Sequence, residues 1–473
     1  MPSGVDSAAA ALAAAIEVRS ALHVVIVTVG SRGDVQPYLA MGLALQKRGH
    51  RVTMALEARM APLARQFGLA TAHIEGDFGG LMFEKGTHEV LARGNLHEIA
   101  TLLGCWAARW PRAAVLRSYE TALQGADVVV GAGMTMTASF SVAESIGAGW
   151  LPLLLSPGAS ATLETSDFPF TFFESLPFWK LCCFCGCLNR WTYDVVFKKI
   201  WADERESINA WRAGSLGLKH IGYARGISDV ISRNRVPVIV ACSALACGPH
   251  GRRSHDWPDE VALGGFAFVP TVEEAGEAVD ARLIEFMARA KCDKAPVIYL
   301  GFGSCPPTAA GPGSLVALAA DVCDRLHSRA VIVAGWSGVD TSAAASNAAL
   351  LIVAQAPHDW LFPRVRCVVH HAGIGTTAAA LRSGTPQVPT PFYLDQPSNA
   401  ALVVRLGAAP SFVRYSANVS AAALAAAVAK AIDPAQPYVS AARRIGEQVR
   451  AESAGALDRY ALIIEGCRRP CVA

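Results

Sequence analysis

The chain has 473 residues, of which 52% are hydrophobic and 17% are charged, and its 42 basic and 39 acidic side chains give a formal net charge of +3. This composition excludes an intrinsically disordered chain, and it lacks the clustered excess of Lys and Arg that is typical of nucleic-acid-binding proteins. At about 150 residues per domain, the length predicts two or three globular domains.

The apolar segments are too interrupted to predict a membrane-spanning helix. The longest candidate runs from Ser145 to Leu163, but its glycines and prolines favour a buried strand followed by a turn. Residues 1–21 have no basic stretch before their apolar part, so we expect an N-terminal extension rather than a secretory signal.

The chain contains 13 cysteines, an odd number that predicts free thiols and a reducing compartment for a protein of this size. Four of them cluster at Cys182, Cys183, Cys185 and Cys187. Their spacing lacks the two separated pairs of a zinc ribbon, and the neighbouring aromatic residues favour an apolar lip. We therefore expect no metal at this cluster.

Apolar runs of strand length alternate with helical patterns from the start of the chain. His23–Thr28 and Arg51–Leu56 are predicted as buried strands, with a helix at Gln36–Arg48 between them and Pro37 in its first turn. Later strands of the first half are predicted at Ala126–Gly133, Trp150–Leu155 and Pro237–Ser243.

A second series of strands follows a charged, helix-like stretch that ends at Lys291. Two such series predict an α/β protein with two doubly wound, Rossmann-like domains that face each other across a cleft. Strands are predicted at Pro296–Ser304, Arg329–Trp336, Ala349–Pro357 and from Arg366 onward. The predicted divisions are an extension (1–21), an N-terminal domain (22–270), a linker (271–294), a C-terminal domain (295–438) and a C-terminal helix with a tail (439–473).

The turn after the first strand is Gly30-Ser31-Arg32-Gly33-Asp34. It lacks the G-x-G-x-x-G spacing of a dinucleotide-binding turn, and its aspartate would repel a phosphate. Ligands of open α/β sheets bind at the carboxyl ends of the strands, so the turn predicts a carboxylate that faces the cleft. The alternative is that Asp34 only caps the following helix.

Two turns in the second half have the composition of a phosphate site. Gly301–Ser304 and His371–Thr377 each join an apolar strand to a helix through small residues and free backbone amides, which suit a diphosphate. Taken alone, either segment could be an ordinary tight turn, and His371 could be a core residue. The presence of both turns in one domain favours a binding site for a nucleotide diphosphate. The adjacent Asp395 and Gln396 combine an acceptor with a donor, as sugar hydroxyls require.

The residues in these turns and their surroundings resemble the sterol glucosyltransferase branch of the nucleotide-sugar glycosyltransferases. The resemblance is carried by residues 23–55 and 357–410, which include GSRGD, HHAGIGTT and DQP, and it extends to residues 189–218 and 256–269. It implies a GT-B fold, in which the first domain binds the acceptor, the second binds the UDP-sugar, and the C-terminal helix crosses back to the first.

The resemblance also implies a reaction, namely the inverting, metal-independent transfer of glucose from UDP-α-glucose to the hydroxyl of a sterol or similar lipophilic acceptor. UDP-glucose is then a co-substrate, and no cofactor is expected. Asp34 matches the general base. The diphosphate site is matched by His371 and the turn Gly373–Thr377. The glucose contacts are matched by Asp395 and Gln396, and the border of the uracil and ribose is matched by residues 355–358. The full implied set of donor contacts is Ser31, Arg32, Gly33, Gly303, Ser304, Trp336, Ala356, His358, His371, Gly373, Gly375, Thr376, Thr377, Asp395 and Gln396.

The acceptor is less clearly indicated. The chain departs from the family pattern at Ala372, where glycine is usual, and at Ser398-Asn399, where a bulky aromatic pair is common. Phenolic, polyketide and glycolipid acceptors therefore stay as alternatives. The most aromatic stretch of the chain predicts contacts with the acceptor at Phe168, Phe172, Phe173 and Phe178. The alternative is that these rings pack in an ordinary core. Peripheral contact with a membrane also stays open.

Two other classes of protein would share a pair of Rossmann-like domains. A nicotinamide-dependent oxidoreductase is disfavoured because G-x-G-x-x-G is missing after the first strand. A non-catalytic lipid-binding protein is disfavoured by the presence of Asp34, His371, Asp395 and Gln396. We expect a cytoplasmic enzyme that has no nucleic-acid partner, and the sequence leaves its oligomeric state open.

Overall fold

The structure of the protein is a computed structural model. It describes residues 21–84, 86–93, 96–156, 163–170, 186–248, 251–303, 312–335, 347–414 and 419–468. Two parallel β-sheets, each flanked by helices, dominate these residues, and this arrangement confirms the predicted fold class.

The first sheet has seven parallel strands in the order β3-β2-β1-β4-β5-β6-β7. Its interior strand β1 is entirely buried, as its unbroken apolar sequence requires. The strands are β1 (His23–Val27), β2 (Arg51–Leu56), β3 (Ala70–His73), β4 (Val128–Gly131), β5 (Gly149–Leu154), β6 (Val238–Val240) and β7 (Val261–Leu263).

The second sheet has five parallel strands in the order β10-β9-β8-β11-β12. Its strands are β8 (Val297–Gly301), β9 (Arg329–Val333), β10 (Leu350–Val353), β11 (Cys367–His370) and β12 (Gln387–Pro389). In each sheet the strand order reverses beside the first strand, between β1 and β4 and between β8 and β11. Such reversal points open a crevice at the carboxyl edge of the sheet, where ligands bind.

The described helices are α1 (Arg32–Lys47), α2 (Ala61–Gln66), α3 (Thr87–Arg93), α4 (Leu96–Ala107), α5 (Arg112–Ala122), α6 (Met136–Ile146), α7 (Gly186–Gly214), α8 (Ile227–Arg233), α9 (Val272–Ala275), α10 (Ala281–Cys292), α11 (Pro312–Leu326), α12 (His358–Leu361), α13 (Ile374–Ser383), α14 (Gln396–Arg405), α15 (Ala421–Ile432), α16 (Tyr438–Ser453) and α17 (Ala456–Gly466). None of these helices is long and apolar enough to cross a membrane.

The structure differs from the predicted start of α1. The helix begins at Arg32, four residues before the predicted position, because Ser31 and Asp34 form a capping box at its N-terminus. Pro37 therefore lies inside the helix, beyond its first turn, and it cannot donate a hydrogen bond to the carbonyl of Gly33.

The predicted linker contains the helix-like stretch that ends at Lys291, and the structure has α9 and α10 there. Within it, α10 buries Leu283, Phe286 and Ala290 in a hydrophobic cluster with residues of β8, β9 and β10. This amphipathic helix therefore packs as part of the second domain. The domain boundaries themselves stay a prediction.

The predicted C-terminal helix is two helices, α16 and α17, separated at Gly455, whose φ of 68° is left-handed. α16 packs on α13 of the second domain, and α17 packs on α1 and β4 of the first. Glu465 of α17 is buried and accepts hydrogen bonds from Arg48 Nε at 2.6 Å and pairs with His50 Nε2 at 3.0 Å. These contacts tie the end of the chain to the first domain.

Candidate active site

Asp34 lies in the first turn of α1, the helix that follows strand β1 of the first sheet. Its Oδ2 atom accepts hydrogen bonds from the backbone nitrogen and the hydroxyl of Ser31, both at 2.8 Å. Asp34 thus takes part in a capping box as its third helical residue, with Ser31 as the N-cap. Capping does not exclude a catalytic role, because both bonds use Oδ2 and the second oxygen, Oδ1, can take a proton.

The environment of Asp34 is a cleft rather than a closed core. The side chain keeps solvent-exposed surface, yet both domains surround it. The resulting desolvation raises the pKa of its carboxyl group, and the hydrogen bonds from Ser31 only partly offset this effect. A carboxylate with a raised pKa is a stronger proton acceptor, as a general base requires.

His371 follows β11 at the reversal point of the second sheet, and its ring packs against glycines. A Cβ atom built on Gly303 would lie 2.8 Å from Cε1 of His371, and a methyl group at Gly373 would overlap with Nε2. Burial lowers the pKa of His371 to about 4, although a hydrogen bond with the Gly301 carbonyl works in the opposite direction. The ring is therefore neutral at pH 7, and its buried Nδ1 has no hydrogen-bond partner among the described residues.

The N-terminus of α13 follows this turn and points at the first domain. Its N-cap residue is Gly373, and the hydroxyl of Thr377 is buried without a hydrogen-bond partner in the described part of the chain. A Cβ atom built on Gly375 would lie 3.6 Å from the Cα atom of Gly33, which is van der Waals contact. The N-terminal ends of α1 and α13 therefore meet across the cleft, and half-buried Thr376 lies in the same turn.

Asp395 precedes α14, after the last strand of the second sheet. Burial raises the pKa of its carboxyl group to about 6, a hydrogen bond from Asn399 lowers it, and the charge of Asp34 raises it further. The two carboxyl groups therefore interact electrostatically, although they belong to different domains. The neighbouring Gln396 is buried, and its Oε1 atom accepts from the backbone nitrogens of Phe392 at 2.8 Å and Tyr393 at 3.3 Å.

The predicted border of the nucleotide lies after β10. Arg32 of the first domain donates from Nη1 to Oε1 of Gln355 at 2.7 Å, next to half-buried Ala356. The ring of His358 stacks on Phe362 with 4.3 Å between ring centroids. Burial, helped by the charge of Arg32, lowers the pKa of His358 to about 3, so this imidazole is neutral as well.

Some predicted contacts lie outside the described residues, namely Ser304 and Trp336 of the donor set and Phe172, Phe173 and Phe178 of the acceptor set. Phe168 is described, and it corrects the acceptor prediction for that residue. Its ring is only 3% exposed and meets Trp257 edge-on at 6.5 Å in the core of the first domain. Because no open surface is left on this ring, the core-packing alternative describes Phe168.

One group among the described residues has the spacing of a metal site, formed by Asp167, His255 and Asp256. Its carboxylate oxygens already accept hydrogen bonds from protein donors, including Ser254 Oγ at 2.7 Å to Asp167 and at 2.8 Å to Asp256. The eight cysteines that the structure describes have free thiols, and Cys187 is the member of the predicted cluster among them.

Three residues that support the site were not identified from the sequence. His370 accepts from the backbone nitrogen of Ala372 at 3.2 Å and pairs with Gln387 at 2.9 Å, so it is His370 that serves as the core histidine. Glu57 is buried behind the Asp34 turn, where its Oε1 accepts from the backbone nitrogen of Phe78 at 2.7 Å. The third is Asn399, four residues after Asp395 on α14, a spacing that places two side chains on one helix face.

Comparison with known proteins agrees with this fold. Residues 24–144 match the glycosyltransferase family 28 N-terminal domain, and residues 329–456 match the erythromycin biosynthesis protein CIII-like C-terminal domain. The glycotransferase of kitacinnamycin has a similar structure, with a TM-score of 0.62 at 18% identity over 95% of this chain and 100% of that one. SsfS6 from Streptomyces sp. SF2575, complexed with thymidine diphosphate, gives a TM-score of 0.54 at 20% identity over 91% of this chain and 96% of that one.

The fold and the two matching domains define a class: the chain belongs to the glycosyltransferases of GT-B fold. Within that class its sequence is similar to the sterol 3-beta-glucosyltransferase of Candida albicans, with 30% identity over 443 residues, or 91% of this chain and 27% of that protein. The sterol 3-beta-glucosyltransferase of Aspergillus terreus is 28% identical over 91% of this chain and 29% of its own length. The chain thus spans little more than a quarter of the length of these relatives.

Proposed function

We propose that this protein transfers glucose from UDP-α-glucose to the hydroxyl group of a sterol or a similar lipophilic alcohol, and that the product is a β-glucoside. The observation that carries the proposal is the contact between the helix N-termini of the two domains at Gly33 and Gly375. It brings a carboxylate of raised pKa beside a helix terminus that suits a diphosphate.

The chemical step follows from this placement. The acceptor oxygen attacks C1 of glucose on the face opposite UDP, and its proton passes to Asp34. The bond between C1 and the diphosphate oxygen breaks, and its electron pair leaves with UDP. A positioned base of this kind contributes about 10² to 10⁴-fold to the rate.

The second domain holds the donor and stabilises the charge that UDP gains. The free amides at the start of α13 and the partial positive charge of the helix dipole face the diphosphate. The neutral ring of His371 packs against the same glycine turn, and the carboxylate of Asp395 accepts hydrogen bonds from the glucose hydroxyls. UDP-glucose is the only co-substrate in this proposal, which needs no cofactor and no metal ion.

The lipophilic acceptor is supported by the sterol 3-beta-glucosyltransferase sequences that match about 90% of the chain. Contact with a membrane surface, as a cytoplasmic and peripherally attached enzyme would make, belongs to the same proposal, because sterols reside in membranes.

The test is a screen of acceptors. The protein is incubated with UDP-glucose in EDTA together with ergosterol, cholesterol, sitosterol, a phenol or a polyketide alcohol, and products are identified by mass spectrometry. We expect hexosylated sterol and free UDP in equal amounts. Transfer to the phenol or the polyketide alone would move the acceptor to that class, and UDP binding without any transfer would refute the enzymatic proposal.

A further inference from the structure

Asn399 connects two parts of the donor side that are far apart in sequence. Its Nδ2 atom donates to Oδ2 of Asp395 at 2.9 Å and to the backbone carbonyl of Ala372 at 2.9 Å. The side chain is buried, with 7% of its surface exposed. An amide nitrogen carries two hydrogens, so both are used, one for each partner.

The Ala372 end of this connection is a strained part of the turn before α13. Ala372 has a φ of 65°, a left-handed conformation that is unfavourable for a residue other than glycine. Its backbone is fixed from both sides, since the nitrogen donates to Nδ1 of His370 and the carbonyl accepts from Asn399. A conformation of this kind persists when the surrounding contacts over-determine it.

The Asp395 end of the connection is a carboxylate that needs a fixed orientation. The hydrogen bond from Asn399 stabilises its charged form against burial and against the charge of Asp34. That bond uses Oδ2 of the carboxylate, so the hydrogen bond from Asn399 leaves Oδ1 available to accept from a ligand. Asn399 thus sets both which oxygen is presented and how far it lies from the diphosphate turn.

We propose that Asn399 is a positioning residue that holds the carboxylate of Asp395 at a fixed distance from the Ala372 turn, and so sets the fit of the sugar on its nucleotide diphosphate. This inference rests on the proposed function. It predicts that Asn399 contributes to recognition of the glucose moiety and only slightly to recognition of UDP.

The test is a double-mutant cycle with three variants: Asn399→Ala, Asp395→Ala and both together. The dissociation constants of UDP-glucose and of UDP are measured for each by calorimetry. In each single variant we expect the dissociation constant of UDP-glucose to rise about tenfold more than that of UDP. A tenfold change corresponds to the loss of one hydrogen bond to a charged group. The double variant should lose no more affinity for UDP-glucose than Asp395→Ala does, because the effects of two residues that act through one contact do not add.

A matched control is Asn209→Ala. Asn209 also makes two hydrogen bonds, to the backbone nitrogen of Ile221 at 2.8 Å and to its carbonyl at 3.3 Å, but it lies on α7 of the first domain. We expect it to lower the melting temperature without changing the ratio of the two dissociation constants.

Two results would overturn the role of Asn399 alone. One is an equal loss of affinity for UDP and UDP-glucose in Asn399→Ala, which would make it a support of the diphosphate turn only. The other is additivity in the double variant. If the wild-type protein binds neither ligand, the proposed function itself fails and the inference falls with it, so the two failures are distinguishable.

Discussion

Replacing Asp34 with asparagine separates its two roles, that of a proton acceptor and that of a helix-capping residue. The amide oxygen can still accept from the backbone nitrogen of Ser31, which now lies 2.8 Å from Oδ2. The capping box is weakened, at a cost of about 1 kcal/mol or less in unfolding free energy. The base is lost entirely, so kcat should fall by about 10² to 10⁴-fold, or roughly 3–5 kcal/mol of activation free energy.

The matched control for this prediction is Glu274→Gln. Glu274 closes a second capping box at the N-terminus of α9, where it accepts from the backbone nitrogen of Thr271 at 2.7 Å. This variant makes the same change from carboxylate to amide, and we expect its kcat to stay within about twofold of the wild-type value.

The assay has two parts, release of UDP in the presence of acceptor and the affinity for UDP measured by calorimetry. Asp34→Asn should lose turnover and keep its affinity for UDP. A fall in kcat of less than tenfold, or equal falls in both variants, would show that Asp34 is a capping residue only. Loss of UDP affinity in Asp34→Asn would contradict its assignment as the base.

Three further predictions concern the donor side and the C-terminal helix. Gly373→Ala pushes a methyl group into the ring of His371, so the affinity for UDP should fall by about 10- to 100-fold. Because burial raises the pKa of Asp395 to about 6, its carboxylate becomes protonated as the pH falls through 6, and the preference for UDP-glucose over UDP should decline there. Glu465→Ala leaves Arg48 without its buried partner, and the free energy of unfolding should fall by about 2–3 kcal/mol in urea titrations.

Each of these predictions has a control. Gly466→Ala adds a methyl group with no atom within 4 Å, so UDP affinity should not change. Asp395→Asn should remove the pH dependence of the sugar preference near pH 6, and its persistence would assign that titration to another group. Lys199→Ala breaks an exposed pair with Asp203 and should alter stability by less than about 0.5 kcal/mol. A loss of that small size in Glu465→Ala would refute the anchoring role.

The buried strands were predictable because their sequences are continuous apolar runs, such as those of β1 and β8, which lie in the interiors of the two sheets. The start of α1 was harder to predict, since a glycine and an aspartate are poor helix formers in isolation. The capping box between Ser31 and Asp34 stabilises them in helical conformation, and that requires the folded backbone.

The site was predictable where it follows strand ends, as Asp34 and His371 do, because every parallel strand delivers its next residues to the same edge. Contacts across the cleft could not be predicted from the sequence, since they depend on how the two domains pack. The closeness of Asp34 and Asp395 and the pairing of Arg32 with Gln355 are of this kind. The role of Phe168 could not be predicted either, because the sequence does not reveal whether an aromatic ring lies in the core or at the surface.

The most direct measurement of the central claim is the anomeric configuration of the product. Purified protein is given UDP-α-glucose and ergosterol in EDTA, and the anomeric proton of the sugar is observed by NMR as the product accumulates. The account predicts a β-glucoside that appears together with an equal amount of UDP. An α-glucoside, or no glucoside from any sterol while UDP binds, would contradict it.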